Sequence, residues 1–237
     1  MSALTDQDLR FEAPLYTVAE AARVIGVASS TLATWTKGYK RQRADRPTVQ
    51  GEAVVTAFPA TGQQPSIPFV GLAEALVLAA VHRSGVPMQR VRPALAALER
   101  EIGIDHALAS SRLYTDGAEV LFDFGTSERV DPSVVKQLVV VRNGQRVFVE
   151  VVADYLQRIE YGTDGYATLI HVPGYRDVVC DPYRSFGRPI FSRGGVRVDE
   201  VLARFQIGES IDALTAEFGV TVGDVEDALR VAFRRAA

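Results

Sequence analysis

Residues 29–46 read SSTLATWTKGYKRQRADR, a run of short hydroxyls and cations with almost no acid. Ser29, Ser30, Thr31 and Thr34 carry hydroxyls that can reach phosphate oxygens or base edges. Lys37, Lys40, Arg41, Arg43 and Arg46 add point charges and forked guanidinium donors. From Lys37 to Arg46 these five cations face Asp45 alone, a local charge of +4 in a chain whose net charge is −3. Such a distribution excludes indiscriminate coating of nucleic acid and favours one concentrated site for a phosphate backbone.

Two further groups of residues have chemistry to offer. Five arginines lie between Arg176 and Arg197 against Asp177 and Asp181, a local charge of +3. Within that segment SRGGVR, which holds Arg193 and Arg197, lacks the Gly-Lys-Ser/Thr ending of a phosphate loop and reads as turn chemistry. Its arginines suit phosphate or an acidic protein surface. Asp224, Glu226 and Asp227 crowd the start of a short segment near the C-terminus, where acids suit a helix dipole or a basic protein partner.

The pattern of an enzyme is missing. His82, His106 and His171 are scattered without metal-ligand spacing, and no acidic cluster has the spacing of a metal-dependent nuclease. Cys180 is the only cysteine, which excludes an internal disulfide and reads as a small apolar strand residue. The expectation is a protein without enzymatic activity, metal or cofactor. No apolar run approaches the length of a membrane span and the first residues lack a signal pattern, so a cytoplasmic protein is expected.

The elements that must position these residues come next. Thr17 with Glu20 three residues on forms a capping box for a first helix, and Gly26 ends it. Ser29, Ser30 or Thr31 caps a second helix running to Gly38. The spacing then predicts strands at Ala53–Phe58 and Ile67–Val70 around a Pro/Gly/Gln-rich loop, a wing beside the helix pair. Leu72, Leu76, Ala79 and Ala80 share one face of a third helix, and Val91, Leu95 and Leu98 one face of a fourth. Asp116-Gly117 predicts a hairpin within residues 111–125. Around Asn143-Gly144 the pattern predicts a strand (Leu138–Arg142), a turn, and a helix carrying Phe148, Val151, Val152, Tyr155 and Ile159. Residues 166–172 and 177–180 are strand candidates before three C-terminal helices. A boundary falls near His171 to Tyr175.

A second helix pair, SIDALTAEFGVTVGDVEDALR, repeats the Gly-Val turn of the first. Both have the apolar positions a helix-turn-helix needs, through Ala21, Ile25, Leu32 and Trp35 in one and Leu214, Phe218, Val225 and Leu229 in the other. They differ in the second helix. The first has no acid there, whereas the other begins with Asp224, Glu226 and Asp227, which a groove of phosphates would repel. One unit is therefore expected to read DNA, the other to bind protein.

YTVAEAARVIGVASSTLATW, followed by a wing and IPFVGLAEALVLAAVHRSGVPMQRVRPAL, resembles the MerR-type winged helix-turn-helix. The C-terminal stretch resembles a small bacterial domain family long labelled as of unknown function, through Asp181-Pro182, Gly187-Arg188-Pro189, Arg197 and Gly208-Glu209-Ser210-Ile211. That family often stands beside a PIN-domain ribonuclease toxin. Together they resemble a VapB-type antitoxin of an actinobacterial type II toxin–antitoxin pair.

The resulting expectation is an α+β fold. Residues 1–171 form a winged helix-turn-helix domain (about 15–102) with a β-rich extension, and residues 172–237 a three-helix, helix-turn-helix-like domain. The resemblance implies operator DNA and a PIN-domain toxin as partners, with autorepression of the operon. A homodimer is expected because one short recognition helix covers too little DNA. DNA binding falls to Ser29, Ser30, Thr31, Thr34, Lys37, Lys40, Arg41, Arg43 and Arg46, and partner binding to Arg193, Arg197, Asp224, Glu226 and Asp227. The alternative is a free-standing, ligand-responsive regulator.

Overall fold

The stretch FVGLAEALVLAAV has no polar face to turn to water, and in the computed structural model all of its residues, Phe69–Val81, are buried. A helix apolar on every side belongs inside a protein, and the remaining elements surround this one. The structure describes residues 6–43, 46–83, 88, 91–92, 95–96, 99, 103–115, 141–142, 145–146, 155 and 157–236.

Helices α1 (Asp6–Phe11), α2 (Val18–Ile25) and α3 (Ser29–Lys37) precede a hairpin of β1 (Tyr39–Arg43) and β2 (Arg46–Gly51). The buried helix is α4 (Phe69–Arg83), which touches both α1 and α2. A short helix α5 (Arg112–Thr115) follows. Strands β3 (Val141–Arg142) and β4 (Gln145–Arg146) pair with each other. Strands β5 (Ile159–Tyr161), β6 (Ala167–His171), β7 (Val178–Cys180) and β8 (Ile190–Phe191) form an antiparallel sheet in that order. Helices α6 (Val198–Gln206), α7 (Ile211–Phe218) and α8 (Val222–Ala236) end the chain. The fold is α+β, with a helix-turn-helix at one end of the chain and a helical module at the other.

The apolar core runs without a break from Trp35 and Ile25 through α4 to Ile170, Cys180 and Phe191, and on to Val201, Leu214 and Val225. The boundary placed between His171 and Tyr175 thus lies within a sheet, where Ile170 pairs with Cys180. A buried hydrogen bond reinforces this continuity. The Tyr16 hydroxyl donates to the Gly187 carbonyl at 2.7 Å across 171 positions of sequence. Gly187 has φ +75°, and a Cβ there would stand 2.2 Å from the Tyr16 oxygen, so only glycine fits.

Several local expectations hold and several fail. Thr17 and Glu20 form the reciprocal capping box, and Gly26 and Gly219 take the left-handed conformation at the two helix turns. The wing is not Ala53–Phe58 with Ile67–Val70. The strongly basic stretch itself forms the hairpin β1/β2, while the amides of Val54 and Val55 donate to the Trp35 carbonyl. Ile67 exchanges hydrogen bonds with Tyr16, and Phe69 and Val70 open α4 directly after Pro68, whose fixed φ suits a helix start. The capping role expected of Ser29, Ser30 or Thr31 falls instead to Ala28, which makes no side-chain cap. Ile159 is not helical, because its backbone pairs with Ile170 in β5. The hairpin at Asp116-Gly117 and the residues Phe148, Val151 and Val152 lie outside the described residues, whereas Leu113 sits in α5.

One buried carboxylate sits in α4. Glu74 accepts from the Thr56 amide at 2.6 Å and from its hydroxyl at 3.1 Å, and lies 2.9 Å from His106 Nδ1. That hydrogen bond, opposed by burial and helped by the charges of Glu74, Asp105 and Glu99, raises the His106 imidazole above its ordinary pKa.

Two outcomes follow. Tyr16→Phe leaves the Gly187 carbonyl without its donor and costs about 1–3 kcal/mol in urea unfolding, while Gly187→Ala costs at least as much. The raised folded pKa of His106 makes its protonated form stabilising. That contribution is complete below about pH 6.5, the unfolded value, and is lost as pH climbs through the folded value. Stability measured between pH 6 and 9 therefore falls more steeply in the parent than in His106→Asn, which keeps a residue tolerant of the positive φ found there.

Candidate nucleic-acid interface

The α2–α3 unit is held from inside. Ala21, Ala22, Val24 and Ile25 of α2 and Leu32 and Trp35 of α3 are buried, and the His82 ring of α4 meets the Trp35 ring edge-on at 5.8 Å. This packing fixes which face of α3 looks outward. Ser29, Ser30 and Lys37 are exposed, and Thr31 and Thr34 are half-buried. The N-terminus of α3 has no side-chain cap, so its first amides point outward beside two serine hydroxyls. No acid occupies its first turn. Thr34 donates its hydroxyl to the Ser30 carbonyl at 2.9 Å, which orients the side chain along its own helix. Thr36 is buried and donates to the Leu32 and Ala33 carbonyls at 3.2 Å.

Beyond Gly38 the chain turns directly into β1. Lys40 is exposed and pairs across to Gln50, Arg41 pairs with Val49, and Arg43 with Arg46, with a bulge between Arg41 and Arg43. All nine residues expected to meet DNA therefore belong to α3 and the adjoining hairpin. Across from α3 stands the loop that carries Gln63 and Gln64. The groove between them, about 1310 Å³, is lined by Ser29, Ser30 and Lys37 on one side and by Gln63, Gln64 and Arg188 on the others. Sequence reasoning missed this second wall. The Gln-Gln pair in a Pro/Gly-rich loop was visible, but nothing local could bring Arg188 to it.

The C-terminal residues are dispersed. Asp224 is buried and forms its own capping box, accepting from the Thr221 amide at 3.0 Å while its amide donates to the Thr221 hydroxyl at 3.2 Å. Glu226 is paired with Arg230 at 2.8 Å, and Asp227 accepts from the Arg176 amide at 2.9 Å. Arg193 is exposed on the turn after β8. Arg197 binds Asp199 through Nε at 2.8 Å, and this bond holds the guanidinium above and the carboxyl below their ordinary pKa ranges. Of the remaining histidines, His171 lies 2.9 Å from Glu160. Among the described residues no group of three or more His, Cys, Asp or Glu side chains has metal-binding geometry, and no helix is long and apolar enough to cross a membrane.

Known proteins reproduce both ends of this architecture. Residues 14–95 match the family described as "Putative DNA-binding HTH domain", and residues 178–232 match "Protein of unknown function (DUF433)". The protein named "Putative antitoxin VapB45" of Mycobacterium tuberculosis (strain ATCC 25618 / H37Rv) is 47% identical over 235 residues, spanning 97% of this chain and 98% of that one. A second protein of the same strain, "Uncharacterized protein Rv2308", is 27% identical over 224 residues, spanning 91% of this chain and 88% of its own. The crystal structure of Rv2018 from Mycobacterium tuberculosis superimposes with a TM-score of 0.78 at 47% identity, covering 93% of this chain and all of that one. Full-length identity at this level, joined to the same helix-turn-helix and C-terminal module, places the chain in the family of the VapB45 antitoxin.

Proposed function

We propose that the chain is a DNA-binding antitoxin that represses its own operon and neutralises a co-encoded PIN-domain ribonuclease, acting as a cytoplasmic homodimer and a regulator rather than an enzyme. The observation that carries the DNA reading is the outward face of α3, which is acid-free, begins with uncapped amides and runs straight into a basic hairpin. Helix N-termini and cations suit phosphate, and hydroxyls suit base edges. Ser29, Ser30, Thr31 and Thr34 then approach the bases, while Lys37, Lys40, Arg41, Arg43 and Arg46 meet the backbone.

The equivalent helix of the other unit, α8, begins with a buried acid and adds Glu226 and Asp227 within its first turns. A surface that meets an RNA-binding toxin has cations to match, and acids complement them. In this reading Glu226, Asp227, Arg193 and Arg197 contact the toxin, and Asp224 holds the start of the helix that presents the first two.

Binding of the full chain to its own promoter DNA, measured against salt, tests the DNA assignment. Lys37→Ala with Lys40→Ala weakens binding on every sequence and lowers the magnitude of the salt slope by about one unit per lysine. A salt slope unchanged by the pair overturns the assignment. For the C-terminal module, Asp224→Ala costs about 1 kcal/mol in unfolding through the lost cap but leaves the toxin association rate intact. Glu226→Gln with Asp227→Asn instead slows association and flattens its salt dependence. Inhibition kinetics of the co-encoded ribonuclease that do not change with the second pair remove these acids from the contact.

A further inference from the structure

Arg188 belongs by sequence to the C-terminal module, in the Gly-Arg-Pro segment after the 3-10 turn Ser185–Gly187, yet it lines the groove that α3 borders. Its backbone is fixed on both sides. Gly187 before it receives the buried Tyr16 hydroxyl at 2.7 Å, its own amide donates to the Ser185 carbonyl at 3.1 Å, and Pro189 restricts the chain after it. The side chain is about half exposed, at 47%, so its guanidinium is held at the groove without being sealed from it.

Two carboxylates face it, Glu20 at closest range and Asp199, whose carboxyl the Arg188 charge helps to lower. The nearest approach, Arg188 Nη2 to Glu20 Oε1, is 3.6 Å, an ion pair too long for a hydrogen bond. Glu20 spends its other oxygen on the Thr17 amide at 2.9 Å. Burial works to raise the Glu20 pKa, but hydrogen bonding by Thr17 and the charges of Arg188 and Arg23 outweigh it and keep the carboxyl below its usual range. A carboxylate therefore lines the groove where phosphate would lie, together with Arg23, Lys37 and Arg188. Among the described residues the Arg188 side chain makes no hydrogen bond, which leaves a five-donor fork open to a planar or tetrahedral oxyanion.

We propose that Arg188, carried by the C-terminal module, is a phosphate-contacting residue of the DNA interface, and that Glu20 is the internal acid from which the DNA backbone takes it. The two modules then bind one duplex as a single surface, joined by the Tyr16–Gly187 bond. A partner that shifts the C-terminal module changes DNA affinity through this one guanidinium, without touching α3. The inference rests on the reading of α3 as the DNA-contacting helix.

The test uses the full chain and duplex DNA carrying its own promoter, with a scrambled duplex beside it, over a salt series. Arg188→Ala lowers the magnitude of the salt slope by about one and weakens both duplexes alike, and Arg188→Lys restores most of the slope. Glu20→Gln, which keeps a residue able to complete the capping box, tightens binding by removing the repelling charge. The decisive variant combines the two. If Arg188 merely screens Glu20, then Arg188→Ala has no effect in the Glu20→Gln background; if it meets phosphate, the slope falls there too. A double variant with the slope of Glu20→Gln alone overturns the proposal while Lys37→Ala still lowers the slope. Loss of salt-dependent binding by the parent chain would instead sink the α3 reading. Circular dichroism on each variant separates lost contacts from lost fold.

Discussion

The hydrogen bond from Tyr16 to the Gly187 carbonyl is the constraint on which the arrangement of the two modules rests. Tyr16 bridges Ile67 through its backbone and so fixes the entry to both α2 and α4. Its side chain, 2% exposed, reaches the C-terminal module. Burial drives the Tyr16 phenol well above its usual pKa, so it remains a donor across the accessible pH range. Because a buried carbonyl without a donor is costly, the groove beside α3 is held at a defined width, with Arg188 one residue beyond the bond.

Around that seam the molecule places its charges unevenly. The core is apolar through α4, where the buried carboxylate of Glu74 is satisfied by Thr56 and His106. In the C-terminal helices Arg204 binds Glu209 and Glu217, each at 2.6 Å, and lies over the Phe218 ring at 4.8 Å. These ionic contacts knit α6 and α7 to each other. At the face of α3 the opposite holds, with exposed hydroxyls and lysines and an uncapped helix start. The same helix pair is thus finished internally in one module and left open in the other, which accords with a reader at one end and a protein-binding or structural unit at the other.

Local chemistry was legible in the sequence, and long-range placement was not. The capping box at Thr17 and Glu20, the left-handed turns at Gly26 and Gly219, and strands β6 and β7 depend on neighbours a few residues away. The wing falls on YKRQR and not on AVVTAF, because the amides of Val54 and Val55 are taken up by the Trp35 carbonyl, a contact that a local pattern does not reveal. Pro68 decided that Phe69 and Val70 open a helix. Asp224 looked like a surface acid because its capping partner Thr221 lies before the apparent cluster. Arg188 could not be assigned at all from sequence, since its neighbours in the groove lie more than 120 positions away.

The central claim is that α3, and not the similar α8, faces DNA. Cys180 is fully buried with its thiol pKa driven up, so a cysteine placed on the surface is the one that reacts. An iron chelate that cleaves nearby DNA, tethered at Ser30→Cys in one preparation and at Arg230→Cys in another, reports which helix approaches the duplex. The account predicts cuts confined to short windows of the promoter from position 30 and none above background from position 230. Cleavage from position 230 with none from position 30 would contradict it.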